Sequence, residues 1–295
     1  MLYCAFTHWE FDMTNLVPRT LSDGFGYLEA PRWRDGHLWV SDMILRKVFK
    51  LGVDGDVNEV IEVPEKPSGL GFLPDGTPLI VSMNDRCIYR LERDGLVTHA
   101  ALDGLMTGSA NDMVVDDLGR AYVGNFGFDL YANEESQPAN IILVKSDGDA
   151  RVVADDLLFP NGAIICQERR MLVVAEQLAG KLTAFDIDDD GTLSNRRVYA
   201  DLGEHRPDGI CLDVDGAIWI ASFLHDVFLR VLEGGNITDS VEVPGRRAVA
   251  CQLGGDHGRT LFCLTYEGKW YEVHAGKRAA RVETATVRVS GAGSP

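Results

Sequence analysis

Positive charge is scarce in this 295-residue chain: 28 lysines and arginines face 45 aspartates and glutamates, a formal balance of −17. Nucleic acid and anionic membrane both require basic patches, so neither is expected as a partner. Long apolar runs are missing too. No stretch approaches the roughly 18 residues that a membrane-spanning helix needs. Glu10 and Asp12 stand where the apolar stretch of a secretory leader would continue, so no signal peptide is expected. Paired-cysteine spacing is absent. The six cysteines (Cys4, Cys87, Cys166, Cys211, Cys251, Cys263) include no CxxC and lie mostly in apolar runs such as Ile210-Cys211-Leu212. They read as small core side chains in a reducing cytoplasm rather than as a disulfide framework.

Familiar catalytic signatures are lacking as well. There is no HExxH, no phosphate-binding P-loop and no GxSxG elbow, and the seven histidines show no zinc-type spacing. Asp186-Ile-Asp-Asp-Asp190-Gly191 imitates the start of a calcium-binding EF loop. Its twelfth position is Arg197 instead of an acid, so a hairpin turn is expected there.

What the chain does have is turns. Asp-Gly occurs ten times, at Asp23, Asp35, Asp54, Asp75, Asp94, Asp103, Asp147, Asp190, Asp208 and Asp215, and several copies separate short runs rich in Val, Ile, Leu and aromatics. Glycine supplies the positive φ of a tight hairpin turn, so these are strand-turn-strand signals. No long segment carries a helical stripe. The turns belong to a longer unit. Segments 31–42, 68–82, 111–125 and 208–222 resemble one another, with weaker copies from Asn161 and Ala250. Each reads as strand, turn, strand ending in a small or polar residue, then a third and a fourth strand. Unit starts near residues 30, 68, 111, 161, 208 and 250 predict an all-β fold, a six-bladed β-propeller of four-stranded antiparallel blades around a central channel. A single domain is expected, with the propeller over about 16–290, an N-terminal extension over 1–15 and a flexible tail over 290–295. Residues 17–21 are expected to pair with C-terminal strands around 279–289 and so close the ring. The polar stretch 129–140, containing Asn133, Glu134 and Glu135, reads as an insertion of the third unit, solvated or at the rim.

In a propeller the first strand of each blade lines the channel, and its opening residues ring one mouth. Here they are Glu29, Ser68, Asn111, Asn161, Asp208 and about Ala250. Asn and Asp also open strands simply as turn formers; Glu29 is a poor one. Converging oxygen side chains are costly to bury without a counter-charge, and an all-oxygen set without His or Cys suits a hard divalent cation.

At these residues the sequence resembles the SMP-30/gluconolactonase/luciferin-regenerating enzyme family of six-bladed propellers. The matching segments are Glu29-Ala-Pro-Arg-Trp33, Ala110-Asn-Asp-Met113, Gly119-Arg-Ala-Tyr-Val-Gly124, Phe159-Pro-Asn-Gly162, Arg206-Pro-Asp-Gly-Ile-Cys-Leu-Asp213 and Gly254-Gly-Asp-His-Gly-Arg-Thr-Leu261. The resemblance implies one divalent cation held by Glu29, Asn161 and Asp208, Ca²⁺ first, with Mg²⁺, Mn²⁺, Zn²⁺ or Fe²⁺ as alternatives. It implies lactone hydrolysis, with Asp208 and Asn111 catalytic and Asn111 on the substrate side; Ser109, two residues earlier, and Asn125 and Phe126, at the end of the next strand, are expected at the substrate too. Sugar-lactone members often carry an arginine where this chain has Ser109, which offers one donor and little reach. A smaller or more apolar lactone is therefore expected beside a sugar lactone. The partner is the small-molecule lactone, and the protein a monomer or homodimer. Asp208, or the cation itself, would activate the water. Organophosphate hydrolysis on the same scaffold, or a non-catalytic ligand-binding propeller, are the competing readings.

Overall fold

The computed structural model describes residues 14–293 apart from 131 and 133. Cys4, Asn133, most of the N-terminal extension and the last two tail residues lie outside the described residues.

The Asp-Gly turns sort themselves by backbone conformation. Nine of the ten glycines take φ between 75° and 124°, which only glycine adopts without strain. Gly209 does not, because Asp208 and Gly209 sit inside the strand Pro207–Leu212. Gly24 also lies inside a strand, Arg19–Phe25, but at a bulge that gives it a positive φ. The strands form six antiparallel four-stranded sheets over 28–62, 67–101, 110–157, 160–201, 207–242 and 247–286, the last completed by Arg19–Phe25. The chain is thus a six-bladed β-propeller. The Asp188–Gly191 stretch is a hairpin turn between Lys181–Ile187 and Leu193–Asp201, with the Gly191 amide donating to the Asp188 carbonyl.

First strands open at 28, 67, 110, 160, 207 and 247. They are buried on both faces, completely so in Ala110–Val115 and Pro207–Leu212, which explains their near-continuous apolar character. Aromatic contacts fix neighbouring blades. Trp33 stacks on Phe262 with centroids 5.2 Å apart, and Trp39 meets Phe72 edge-on at 5.2 Å.

The ring closes between the ends of the chain. Arg19–Phe25 pairs antiparallel with Ala280–Thr286, from Arg19 opposite Thr284 to Phe25 opposite Ala280, with the register slipping between Thr20 and Ser22 and again between Asp23 and Phe25. That is the closure expected from the sequence, shifted a few residues along. Thr14–Leu16 adds a parallel fifth strand beside Ile237–Glu242, so the N-terminal extension is part of a sheet from Thr14 onward. Near the C-terminus, the Val214 amide donates to the Ser290 carbonyl, and the Ala292 amide to that of Leu212.

One element escapes the strand pattern. Trp270–His274 forms a short α-helix between the second and third strands of the sixth blade. Glu272 caps it by accepting the Lys269 amide at 2.7 Å, and Gly276, at φ 76°, turns the chain beyond it. Among the described residues, no helix is long and apolar enough to cross a membrane.

Phe25 carries the closure into the core, packing edge-on against Phe49 of the first blade with centroids 5.6 Å apart. Phe25→Ala should cost about 3–5 kcal/mol in urea denaturation, the usual range for a buried aromatic. A loss below 1 kcal/mol would show that the closing strand contributes little.

Candidate active site

Five blades share one irregularity where their first strands open. Pairing with the second strand slips between Glu29 and Arg32, Pro67 and Leu70, Ala110 and Met113, Pro160 and Ala163, and Pro207 and Ile210. A bulge breaks the in-out alternation and re-aims a side chain. Glu29, Ser68, Asn111, Asn161 and Asp208 stand at these slips. Four of them, Glu29, Asn111, Asn161 and Asp208, line one cavity of about 230 Å³. Ser68 lies just outside it, its hydroxyl donating to Asn111 Oδ1 at 3.5 Å.

Glycine explains how the strands come so close. A Cβ on Gly162 would lie 2.7 Å from the Asp208 carbonyl oxygen, and one on Gly209 would collide with Ala250. Bare backbone lets adjacent first strands touch, which draws their opening side chains together.

The charges at this mouth do not balance. Asp112 pairs with Arg32 at 3.0 Å, both buried, and Arg32 also donates to the carbonyls of Leu70 and Met113. Among the described residues neither Glu29 nor Asp208 has an ion-pair partner, and the Arg32 charge offsets only part of what Glu29 experiences. Burial pushes the Glu29 carboxyl well above the usual carboxylate range, and repulsion from Asp208 and Asp112 adds to it. Asp208 is raised in the same way by burial and by Asp112, offset in part by the Asn161 amide. Asp208 Oδ1 is buried without a hydrogen-bond partner among the described residues. Asn111 is anchored, its Nδ2 donating to the Pro160 carbonyl at 3.2 Å. Among the described residues, no three His, Cys, Asp or Glu side chains cluster as a metal site. The oxygen set here has two carboxylates, completed by amides.

A second ring forms the wall. The residue just past the second strand lines the cavity in five blades: Met43, Met83, Phe126, Gln177 and Phe223. The preceding polar residue braces the adjoining loop. Asp42 accepts the amides of Gly26, Tyr27, Ile44 and Leu45. Glu176 accepts that of Leu158, and Ser222 bonds His205. Asn125 is the third-blade member of this bracing set: fully buried, it accepts the Gly127 amide and donates to the Asn140 carbonyl. It does not line the cavity, and neither does Ser109, which is half-buried and accepts the Phe126 amide through its carbonyl.

Phe126 both lines the cavity and packs, stacking on Phe159 with centroids 4.7 Å apart. Phe159 holds φ 58°, an uncommon conformation for a bulky residue, and its carbonyl is fastened by the Gln177 amide. Leu130 brings the 129–140 insertion to the same wall, and Trp270 brings the short helix, edge-on to Tyr27. Met43, Met83, Phe159, Arg206, Phe223 and Trp270 were not anticipated from the sequence. The repeat did contain a signal for three of them: one step beyond each polar strand end.

A model of the SMP-30/gluconolactonase/LRE-like region matches residues 28–267. The 6-deoxy-6-sulfogluconolactonase of Pseudomonas putida is 26% identical over 243 residues, covering 79% of this chain and 81% of that protein. A calcium-binding regucalcin of Agrobacterium tumefaciens superposes with a TM-score of 0.80 at 20% identity, over 96% of this chain and 98% of its own. A gluconolactonase of Xanthomonas campestris gives 0.72 at 22% identity, over 91% and 89%.

The charge imbalance makes opposite demands on two residues. In protein stripped of divalent cations, Asp208→Asn removes an uncompensated buried charge and should raise Tm by at least ~2 °C. Arg32→Met leaves Asp112 buried and unpaired and should destabilise by roughly 3–5 kcal/mol. Calorimetry showing both variants shifted in the same direction would contradict this account of the site.

Proposed function

The chain belongs to the SMP-30/gluconolactonase/LRE-like family, and on that premise we propose that it hydrolyses a lactone in this cavity with one divalent cation held by Glu29, Asn161 and Asp208. The observation that carries this reading is the partnerless Asp208 Oδ1, buried at the mouth beside a second uncompensated carboxylate. Two net negative charges and amide oxygens fit a hard dication, Ca²⁺ first. The calcium-binding relative of known structure supports the same ion.

When bound, such a cation supplies Lewis acidity, polarising the ester carbonyl and stabilising the negative charge that develops as water adds. The protein supplies the rest. The Asp208 carboxylate takes the proton of the attacking water and returns it to the ring oxygen as the acyl C–O bond breaks, so the product is a hydroxy acid. The Asn111 amide, already tethered to the Pro160 carbonyl, holds water or substrate in line. Phe126, Phe159 and Phe223 shut out bulk water and receive the apolar part of the substrate. The relative in Pseudomonas putida is named for a sugar lactone. Walls of Met, Phe, Leu and Trp here favour a less hydroxylated ring, in keeping with Ser109 in place of arginine.

Chelation with EDTA should abolish hydrolysis of γ- and δ-lactones, and added Ca²⁺ or Mn²⁺ should restore it. Asp208→Asn, checked for folding by circular dichroism, should lose at least ~100-fold in kcat, as expected for a general base. Undiminished turnover in either experiment would sink the proposal. Calcium-dependent melting without turnover of any lactone or phosphotriester would support a binding propeller instead.

A further inference from the structure

Arg206 is the one cationic side chain among the described residues that line the cavity. It stands directly before Pro207 and Asp208, at the opening of the fifth blade, and is half-buried. Its backbone is held in place: the Phe223 amide donates to the Arg206 carbonyl at 3.1 Å, tying it to another wall residue. Its side chain is held by shape. Gly180, at φ 63°, leaves a slot that the guanidinium occupies, and a Cβ there would lie 2.6 Å from Nη1. No carboxylate of a described residue pairs with it, although the chain carries 45 acids.

An arginine with five donors, held beside an apolar wall and lacking an acceptor among the described residues, is prepared for an acceptor from outside. The cavity's charge points the same way. With the cation of the proposed function offsetting Glu29 and Asp208, and Asp112 offsetting Arg32, Arg206 leaves the cavity with one net positive charge. We propose that Arg206 is a specificity residue that binds an anionic oxyacid group, such as a carboxylate, carried on a lactone whose remaining body is apolar. This rests on the proposed function for the lactone ring and for the cation in the charge balance, but the anion contact itself does not require turnover.

Matched γ-lactones test it, one series with side chains ending in carboxylate and the other with side chains of equal length ending in methyl. The wild-type protein should favour the carboxylate series by about tenfold to a hundredfold in kcat/KM, the range of a charge-assisted hydrogen bond. The preference should shrink with added salt. Arg206→Met should collapse that ratio, mainly through KM, and Arg206→Lys should recover part of it. A wild-type ratio near one, or an Arg206→Met loss that falls equally on both series, would overturn the inference. If neither series is hydrolysed, the lactonase reading fails and the same pairs are compared as γ-lactams by calorimetry. Tighter binding of the carboxylated lactam that vanishes in Arg206→Met would uphold the anion site; equal binding would refute it.

Discussion

The innermost strands of adjacent blades touch backbone to backbone, as where Gly162 lies against Asp208 and where Gly209 lies against Ala250. A blade can come that near its neighbour only where no Cβ intervenes, so Gly162 and Gly209, which follow Asn161 and Asp208, set how closely the fourth, fifth and sixth blades approach at the channel mouth. The bulge at the same place turns the preceding side chain toward the cavity. Close approach and bulge together bring Glu29, Asn111, Asn161 and Asp208 to one small volume from four separate blades. None of the four is near another in sequence. Their meeting depends on the ring being closed, which in turn depends on Arg19–Phe25 completing the last sheet.

Two rings divide the work of the site. The inner one, at the openings of the first strands, is polar and carries more negative charge than the protein neutralises. The outer one, one residue past the second strands, is mainly Met and Phe. An apolar wall lowers the local polarity, which makes the inner carboxylates costlier to leave uncompensated and strengthens whatever charge interaction satisfies them. Between the rings sits a third set, Asp42, Glu176, Ser222 and Asn125, whose hydrogen bonds hold the loops on which the wall residues stand. The Arg32–Asp112 pair belongs to neither ring: it ties the first blade to the third beneath the mouth.

Much of this was legible in the repeat. Strand turns every few residues and a unit of 40-odd residues specify a propeller, and aligned units place Glu29, Asn111, Asn161 and Asp208 at corresponding positions. The exceptional Asp-Gly was legible too: Gly209 alone among the ten lacks a positive φ, in keeping with a place at a strand opening instead of a turn. Asn125 shows the limit. It ends a strand near the cavity and is polar, yet its side chain faces its own loop and Asn140. Adjacent positions on a strand end differ in direction, and one residue of register separates a brace from a wall. Trp270 and Leu130 were illegible for another reason, because they come from a helix and an insertion that no repeat unit contains.

The sequence by itself determined the blade, since strand alternation and turn chemistry act over a few residues and recur wherever the same pattern recurs. It also determined which side chains could meet at the axis. Tertiary structure decided how many of them do meet, at what separation, and with what charge left over. Burial and Coulomb repulsion depend on distances set by ring closure and by glycine contacts between blades, not by neighbours in the chain. The bulk acidity of −17 is spread over turns and surface. Glu29 and Asp208, two acids out of 45, are pushed well above the usual carboxylate range because the fold buries them together, away from water and near Asp112.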